Sequence, residues 1–309
     1  MKLFYFIPEG SRAGISNFGD ELNSWLWEQF IPGILDQDTT IAVLGMGTLL
    51  NDLVPKRVPD ARHIVVLGTG VGYGQSLPII DNNWTIYCVR GPLSAQALNL
   101  SPELAITDPA ILIRRLYKPS LKKVYKFAYM PHYVQSIEAG KSWEKVCQQL
   151  GFHYIDARWS IEKVISEISQ TEVLLTEAMH GAIVADALRV PWVCIHTSSS
   201  ILEFKWQDWC QSIGVEYQPY RLQQLSDEPP EYGISLIRGI RGSRSAIKVS
   251  LNHWLNQIKT PSLLAKIANI AHPVLSTDSA IESLTIRLEE KLEQFKNDVT
   301  SGYFNSLIS

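Results

Sequence analysis

Residues 171–197, TEVLLTEAMHGAIVADALRVPWVCIHT, restrict the possible folds more than any other stretch of the chain. A short apolar run at 173–175 stops at a polar step carrying Glu177, His180 and Gly181. An apolar-periodic segment at 183–188 then leads into a second strand-like run at 192–195. This reads as strand, helix, strand, the unit of a parallel sheet. In such sheets ligands bind at the carboxyl ends of the strands, facing helix N-termini. His180 stands at that point with two readings. It either touches a ligand or caps the turn through backbone hydrogen bonds, the commoner fate of a single histidine.

The alternation extends upstream, with strands at 127–130 and 152–155 and helices around 143–150 and 160–168. His132 ends the first of these strands and falls on the same edge as His180. Ser198, Ser199 and Ser200 follow the strand through Ile195, where they either cap the helix containing Phe204 and Trp206 or bind an anion at its N-terminus. Nearer the start, 2–7 reads as a buried strand. Leu22, Trp25, Leu26 and Phe30 then recur at helical spacing behind NFGDELN. Asp20 occupies the first turn of that helix, where capping alone explains it; the alternative is that Asn17 and Asp20 line a cleft above the sheet.

Two glycine-containing turns, IAVLGMGTLLND (41–52) and HIVVLGTGVGYG (63–74), suggest a dinucleotide site but miss its fingerprint. Leu50, Tyr73 and Gln75 stand where the third glycine belongs. What remains is backbone NH groups near Gly47 and Gly70, suited to a sugar or phosphate, or simply tight turns. In WTIYCVRGPLSAQAL (84–98), Arg90 ends a strand beside a helix that Pro92 begins. Its guanidinium suits a carboxylate or phosphate, or else pairs with a nearby acid. Asp108, before Pro109, is most economically a turn former.

The chain of 309 residues is long enough for two ordinary domains. The pattern divides it into 1–120, 121–230 and a C-terminal helical segment, 231–309, in which TIRLEEKLEQFKND reads as a solvated helix face. A net charge of -3 leaves no footprint for nucleic acid as a main partner. The four cysteines lack CxxC spacing and read as reduced thiols of a cytoplasmic protein; no metal constellation is visible. No window approaches the roughly 20 apolar residues of a spanning helix. Arg238, Arg241, Arg244 and Lys248 form a local basic segment. Such a segment is more often solvated than functional; as a site it suits a diphosphate or an anionic headgroup, which allows peripheral contact with the inner membrane face.

Four stretches in order, NFGDELN, GMGT, VRGPLSAQAL followed by TDPAIL, and TEAMHGAIVADALRVPWV, together resemble the bacterial polysaccharide pyruvyltransferase family; KWQDWCQSI at 205–213 is also similar. The resemblance covers about residues 15–215. It implies an α/β fold of two Rossmann-like domains facing across a cleft, as in the GT-B glycosyltransferases. It also implies transfer of a pyruvyl unit from phosphoenolpyruvate to hydroxyls of a saccharide, commonly a lipid-linked exopolysaccharide repeat, forming a ketal. No cofactor besides the donor substrate is expected. Within the resemblance, His180 is the general acid and Arg90 the donor's anion contact, with His132, Gly181, Ser198 and Ser199 on the donor side. Asn17, Asp20 and Gly47 border the acceptor side. The sequence departs from the family at Ala178, where many relatives carry arginine, and at Met46 and Thr107, where glycine is frequent.

The residue types agree with that chemistry, because phosphoenolpyruvate needs cationic and NH donors and protonation of its methylene carbon needs an acid. A helix N-terminus disfavours imidazolium, so His180 needs a negative partner, either the substrate or Glu177. The competing expectations are a GT-B-type glycosyltransferase using a nucleotide sugar and a non-catalytic scaffold in polysaccharide assembly. Oligomeric state is not legible in the sequence.

Overall fold

Two all-parallel sheets carry the fold in the computed structural model, which describes residues 1–8, 10–227 and 241–308. The first has the order β1-β2-β3-β4, with β1 (Lys2–Phe4), β2 (Ile41–Leu44), β3 (His63–Leu67) and β4 (Trp84–Cys88). Between and after these strands lie α1 (Phe18–Phe30), α2 (Val54–Arg57), α3 (Pro92–Ala97) and α4 (Ile113–Leu116). Strands β2 and β3 are unbroken apolar runs apart from His63, and every residue in them is buried, as expected of a parallel sheet covered on both faces. The expected buried strand at 2–7 is shorter and lies at the edge. Only Lys2, Leu3 and Phe4 pair, on one side, and Phe6 and Ile7 are exposed.

The second sheet has the order β6-β5-β7-β8-β9, with β5 (Tyr125–Met130), β6 (His153–Tyr154), β7 (Thr171–Thr176), β8 (Trp192–His196) and β9 (Tyr220–Arg221). Its helices are α5 (Tyr133–Leu150), α6 (Ile161–Ser169), α7 (Met179–Ala187) and α8 (Glu203–Ser212). From β5 the chain crosses to β6 on one side, then returns to β7 on the other. The strand order therefore reverses between β5 and β7, and the loops leaving their carboxyl ends diverge to open a crevice there. Ser160 caps α6 by accepting from the Lys163 NH at 3.4 Å. The serines at 198–200 cap nothing: the residue preceding α8 is Leu202, and the Ser198 and Ser200 hydroxyls bond each other at 2.7 Å.

Three helices follow, α9 (Arg241–Ile270), α10 (Asp278–Thr300) and α11 (Tyr303–Ile308). The expected solvated helix is only half correct. Ile281, Leu284, Leu288, Leu292 and Phe295 form a buried face of α10 packed on β4 and the turn at 109–112, with Phe295 edge-on to Tyr87 at 5.5 Å. Its acids Glu282 and Glu289 pair with Arg114 and Arg115. Of the basic segment, Arg238 lies outside the described residues, as do the side chains of Arg241, Arg244 and Lys248. One hydrophobic cluster contains Phe18 and Val65, Met130 and Trp192, and Ile281 and Phe295, so α10 and residues from both halves share a core. The Phe18 NH also donates to the Ala157 carbonyl at 2.8 Å. Among the described residues no helix is long and apolar enough to cross a membrane.

Candidate active site

A cavity of about 400 Å³ lies at the carboxyl ends of the strands, lined from both halves of the chain. Its volume falls in the ~300–1,000 Å³ range of small-molecule sites. Asn17 to Asp20 bring the N-terminus of α1 to it, His132 to Val134 that of α5, Ala178 to His180 that of α7, and Lys205 the first turn of α8. Residues from the first turns of four helices thus line one space, on the side of the positive ends of their dipoles. A side chamber of about 150 Å³ shares Arg12, Tyr73, His132, Ser200 and Lys205 with the main cavity and adds Glu177, Thr197 and Ser198. The histidines read from sequence as edge residues, His132 and His180, therefore line one cavity, at the crevice between β5 and β7.

His180, with a side chain 12 % exposed, is held on two sides. Its Nε2 lies 3.6 Å from Asp108 Oδ2, and a Cβ on Gly19 would collide with its Nδ1. The expected partner Glu177 is engaged elsewhere. Its Oε1 accepts from the Thr197 NH at 2.6 Å and hydroxyl at 2.7 Å, and its Oε2 from the His132 NH at 3.2 Å. Burial pushes the Glu177 carboxyl up, against those hydrogen bonds and Lys205. It ties together the loops that leave β5, β7 and β8, and the acid facing His180 is Asp108 instead.

Asp20 does not cap α1. Its Oδ2 accepts from the Asn17 amide at 2.5 Å, and Asn17 itself makes no side-chain cap. Burial raises the Asp20 carboxyl to about 6, opposed by His180, the Asn17 bond and Lys205. Desolvation thus sets this acid among those able to exchange protons near neutrality. His132 is driven the other way, to about 3, by burial and by Lys205, Arg12 and His196. Burial and the neighbouring cations thus favour its neutral form, which makes it the poorer proton donor of the two histidines.

Arg90 does not reach the cavity. Its side chain is 0 % exposed, and every guanidinium nitrogen is engaged: Nε donates to Asp208 at 3.0 Å, Nη1 to the Gly47 carbonyl at 3.1 Å and the Thr48 hydroxyl at 2.8 Å, and Nη2 to the Val71 carbonyl at 3.3 Å. The anion it binds is the Asp208 carboxylate of α8, which also accepts from the Ser94 NH and hydroxyl. Arg90 therefore clamps the loop carrying Gly47 and Thr48, and these two residues do line the cavity. Gly181 is also withdrawn: a Cβ there would strike Met130 Sδ and Thr176 Oγ1, so the glycine serves the packing of α7 on the sheet. Ser198 reaches the side chamber, and Ser199 lines neither space.

Sequence reading passed over four residues that line the cavity, Arg12, Arg57, Tyr73 and Lys205. Lys205 opens the stretch KWQDWCQSI noted for its resemblance, and its ammonium lies 5.5 Å from the centre of the Tyr73 ring. Tyr73 has a left-handed φ of 62° and is 54 % exposed, an unusual conformation for a bulky residue that presents its ring at the rim. Its glycine-loop setting was the one available signal for it. Arg12 and Arg57 carried none.

Residues 17–199 match the family model for polysaccharide pyruvyl transferase, more than half of the chain, and the protein belongs to that family. It is 44 % identical over 209 residues to the succinoglycan biosynthesis protein ExoV of Rhizobium meliloti (strain 1021), an alignment covering 67 % of this chain and 64 % of that relative. The chain thus spans just under two thirds of the relative's length. Among solved structures, two variants of the wall teichoic acid polymerase TagF align at TM-scores of 0.30 and 0.31 with 9 % and 10 % identity. They cover 84 % and 95 % of this chain and 74 % and 88 % of those chains, too distant a likeness to bear on fold or function.

Proposed function

We propose that this protein transfers a pyruvyl group from phosphoenolpyruvate to a saccharide of exopolysaccharide synthesis, forming a ketal, between two Rossmann-like halves facing across the cavity. The observation that carries this reading is the cavity itself. Four helix N-termini and the cations Arg12, Arg57 and Lys205 surround one acid–base histidine and one carboxylate raised to about 6. Family membership supplies the reaction class, and the name of the relative supplies the acceptor's setting.

In this reading the donor's phosphate and carboxylate bind toward Arg12, Lys205 and the helix starts, in place of the Arg90 contact. His180 gives a proton to the methylene carbon, whose double-bond electrons form the new C–H bond. The neighbouring carbon becomes an oxocarbenium centre, which a sugar hydroxyl oxygen attacks while its proton passes to Asp20. Phosphate then leaves with the electron pair of its C–O bond, and a second hydroxyl of the same sugar closes the ketal. One hydroxyl proton replaces the one now on the methyl group, and the other departs with phosphate. Asp20 suits the base role because its raised carboxyl is ionised above about 6 yet still basic enough to accept.

The test is to incubate the protein with phosphoenolpyruvate and lipid-linked saccharides and to follow both inorganic phosphate and the mass of the saccharide. Phosphate release matched by one added pyruvyl unit is the expected result. Thermal stabilisation by a nucleotide sugar and none by phosphoenolpyruvate would instead make the protein a glycosyltransferase.

A further inference from the structure

Asp108 has one oxygen explained by the fold and one that is not. Oδ1 accepts from the Ala110 NH at 3.0 Å and so caps the turn at 109–112, the role its place before Pro109 suggested. Oδ2 is buried without a hydrogen-bond partner, and so is His180 Nε2, the atom 3.6 Å away. Two orphaned buried polar atoms facing each other would cost about 1–3 kcal/mol each unless they satisfy one another. The pair does so with one proton between the two atoms, and an ionised carboxylate places that proton on the ring. An ionised Asp108 oxygen can only accept, so opposite it Nε2 carries a proton; a bare Nε2 would set lone pair against lone pair.

We infer that Asp108 is the positioning residue of the active site, and that it commits Nε2–H of His180 to itself and leaves Nδ1 as the atom that exchanges protons with substrate. This rests on the pyruvyl-transfer reading. The opposite edge of the ring agrees with it. Nδ1 lies over Gly19, which lines the cavity and where any side chain would collide with that nitrogen. The ring lies where α1, α7 and the 109–112 turn pack together, with Gly19 on one side and Asp108 on the other. His180 also sits in the first turn of α7, where the helix dipole opposes a charged ring. The Asp108 carboxylate faces that ring from the buried side. The dyad joins the TDPAIL stretch to the MHG stretch, two motifs about seventy residues apart with no evident reason in sequence to be paired.

The decisive variant is Asp108→Asn. Asparagine keeps an oxygen to cap Ala110 but turns an NH₂ toward Nε2, which favours the tautomer with the proton on Nδ1. We expect a folded protein with thermal stability near wild type, KM for phosphoenolpyruvate changed less than threefold, and kcat lower by roughly 10³–10⁴-fold, the scale seen when a histidine is held in the wrong tautomer. A ¹⁵N NMR spectrum of the wild type should show His180 protonated at Nε2 in its neutral form, and that of Asp108→Asn at Nδ1. A wild-type ring protonated at Nδ1, or an Asp108→Asn enzyme within threefold of wild-type kcat, would overturn the inference. If Asp108→Asn does not fold, the wild-type spectrum alone decides. If no pyruvyl transfer is found with any acceptor, the function reading falls, while the spectrum still reports separately on the pair.

Discussion

At the scale of single residues, the site is governed by what each polar atom has left over once the fold has used its share. Asp20 accepts one bond from Asn17, which favours its charge, but burial disfavours that charge more strongly, which is why its carboxyl rises to about 6. If it is the base, kcat/KM climbs as pH rises through about 6, where the carboxyl ionises. Asp20→Asn should remove that acidic limb and lower kcat about 10²–10⁴-fold, the usual worth of a positioned acid or base. The same substitution removes a charge that the fold holds at a cost, so its melting temperature should rise by a few degrees, on the order of 2 kcal/mol. A pH–rate profile and a thermal melt check both halves. Gly19→Ala adds only a methyl group, but that methyl meets His180 Nδ1. The enzyme should stay folded and lose on the order of 10²-fold in kcat, as expected when a reacting group moves by about 1 Å. Unchanged kcat in Gly19→Ala would mean that the ring has room to move.

At the scale of elements, the Arg90–Asp208 pair decides how the glycine turns sit. From sequence, an arginine at a strand's carboxyl end beside a helix start has the right chemistry for a substrate anion. What sequence does not carry is that α8, more than a hundred residues on, brings its own carboxylate to the same place. Once that carboxylate is buried, the pair and its hydrogen bonds to Gly47, Thr48 and Val71 form a closed unit. Arg90→Ala leaves Asp208 buried and unpaired and should destabilise the protein by about 3–5 kcal/mol, measured by urea unfolding. Loss of donor affinity with unchanged stability would restore the arginine to substrate binding. The helices were legible where their own periodicity spoke, as in α6 with its Ser160 cap. The buried face of α10 was harder to see, because mixed charges on the outer face masked the apolar positions that pack on β4 and the 109–112 turn.

At the scale of the whole molecule, burial disfavours the charged form of several histidines. His132 is lowered to about 3 and His196 to about 4, and His63 and His153 are lowered as well. In the unfolded chain these groups bind protons below about 6.5, whereas in the folded protein His132 and His196 do so only near 3 and 4. The unfolded state therefore takes up more protons as pH falls, and stability contributed above 6.5 is lost between 6.5 and 4. Asp20 and Glu177, whose carboxyls are raised, oppose this over part of the same range. With two strongly lowered histidines, His132 and His196, set against these carboxyls, the net change should be a loss of stability, visible as a urea midpoint that falls from pH 7 to 4. A midpoint unchanged from pH 7 to 4 would contradict the buried neutral state. Sequence alone determined the alternation of strands and helices, the parallel sheets it builds and the edge on which His132 and His180 lie. These follow from local periodicity and from the rule that parallel strands need crossovers. Only the tertiary structure decided that His180 faces Asp108 and not Glu177, that Arg90 is committed to Asp208, and that Arg12, Tyr73 and Lys205 line the cavity. Those outcomes depend on which distant side chains share a desolvated space, where a charge must find a partner, and no local pattern in a chain records that.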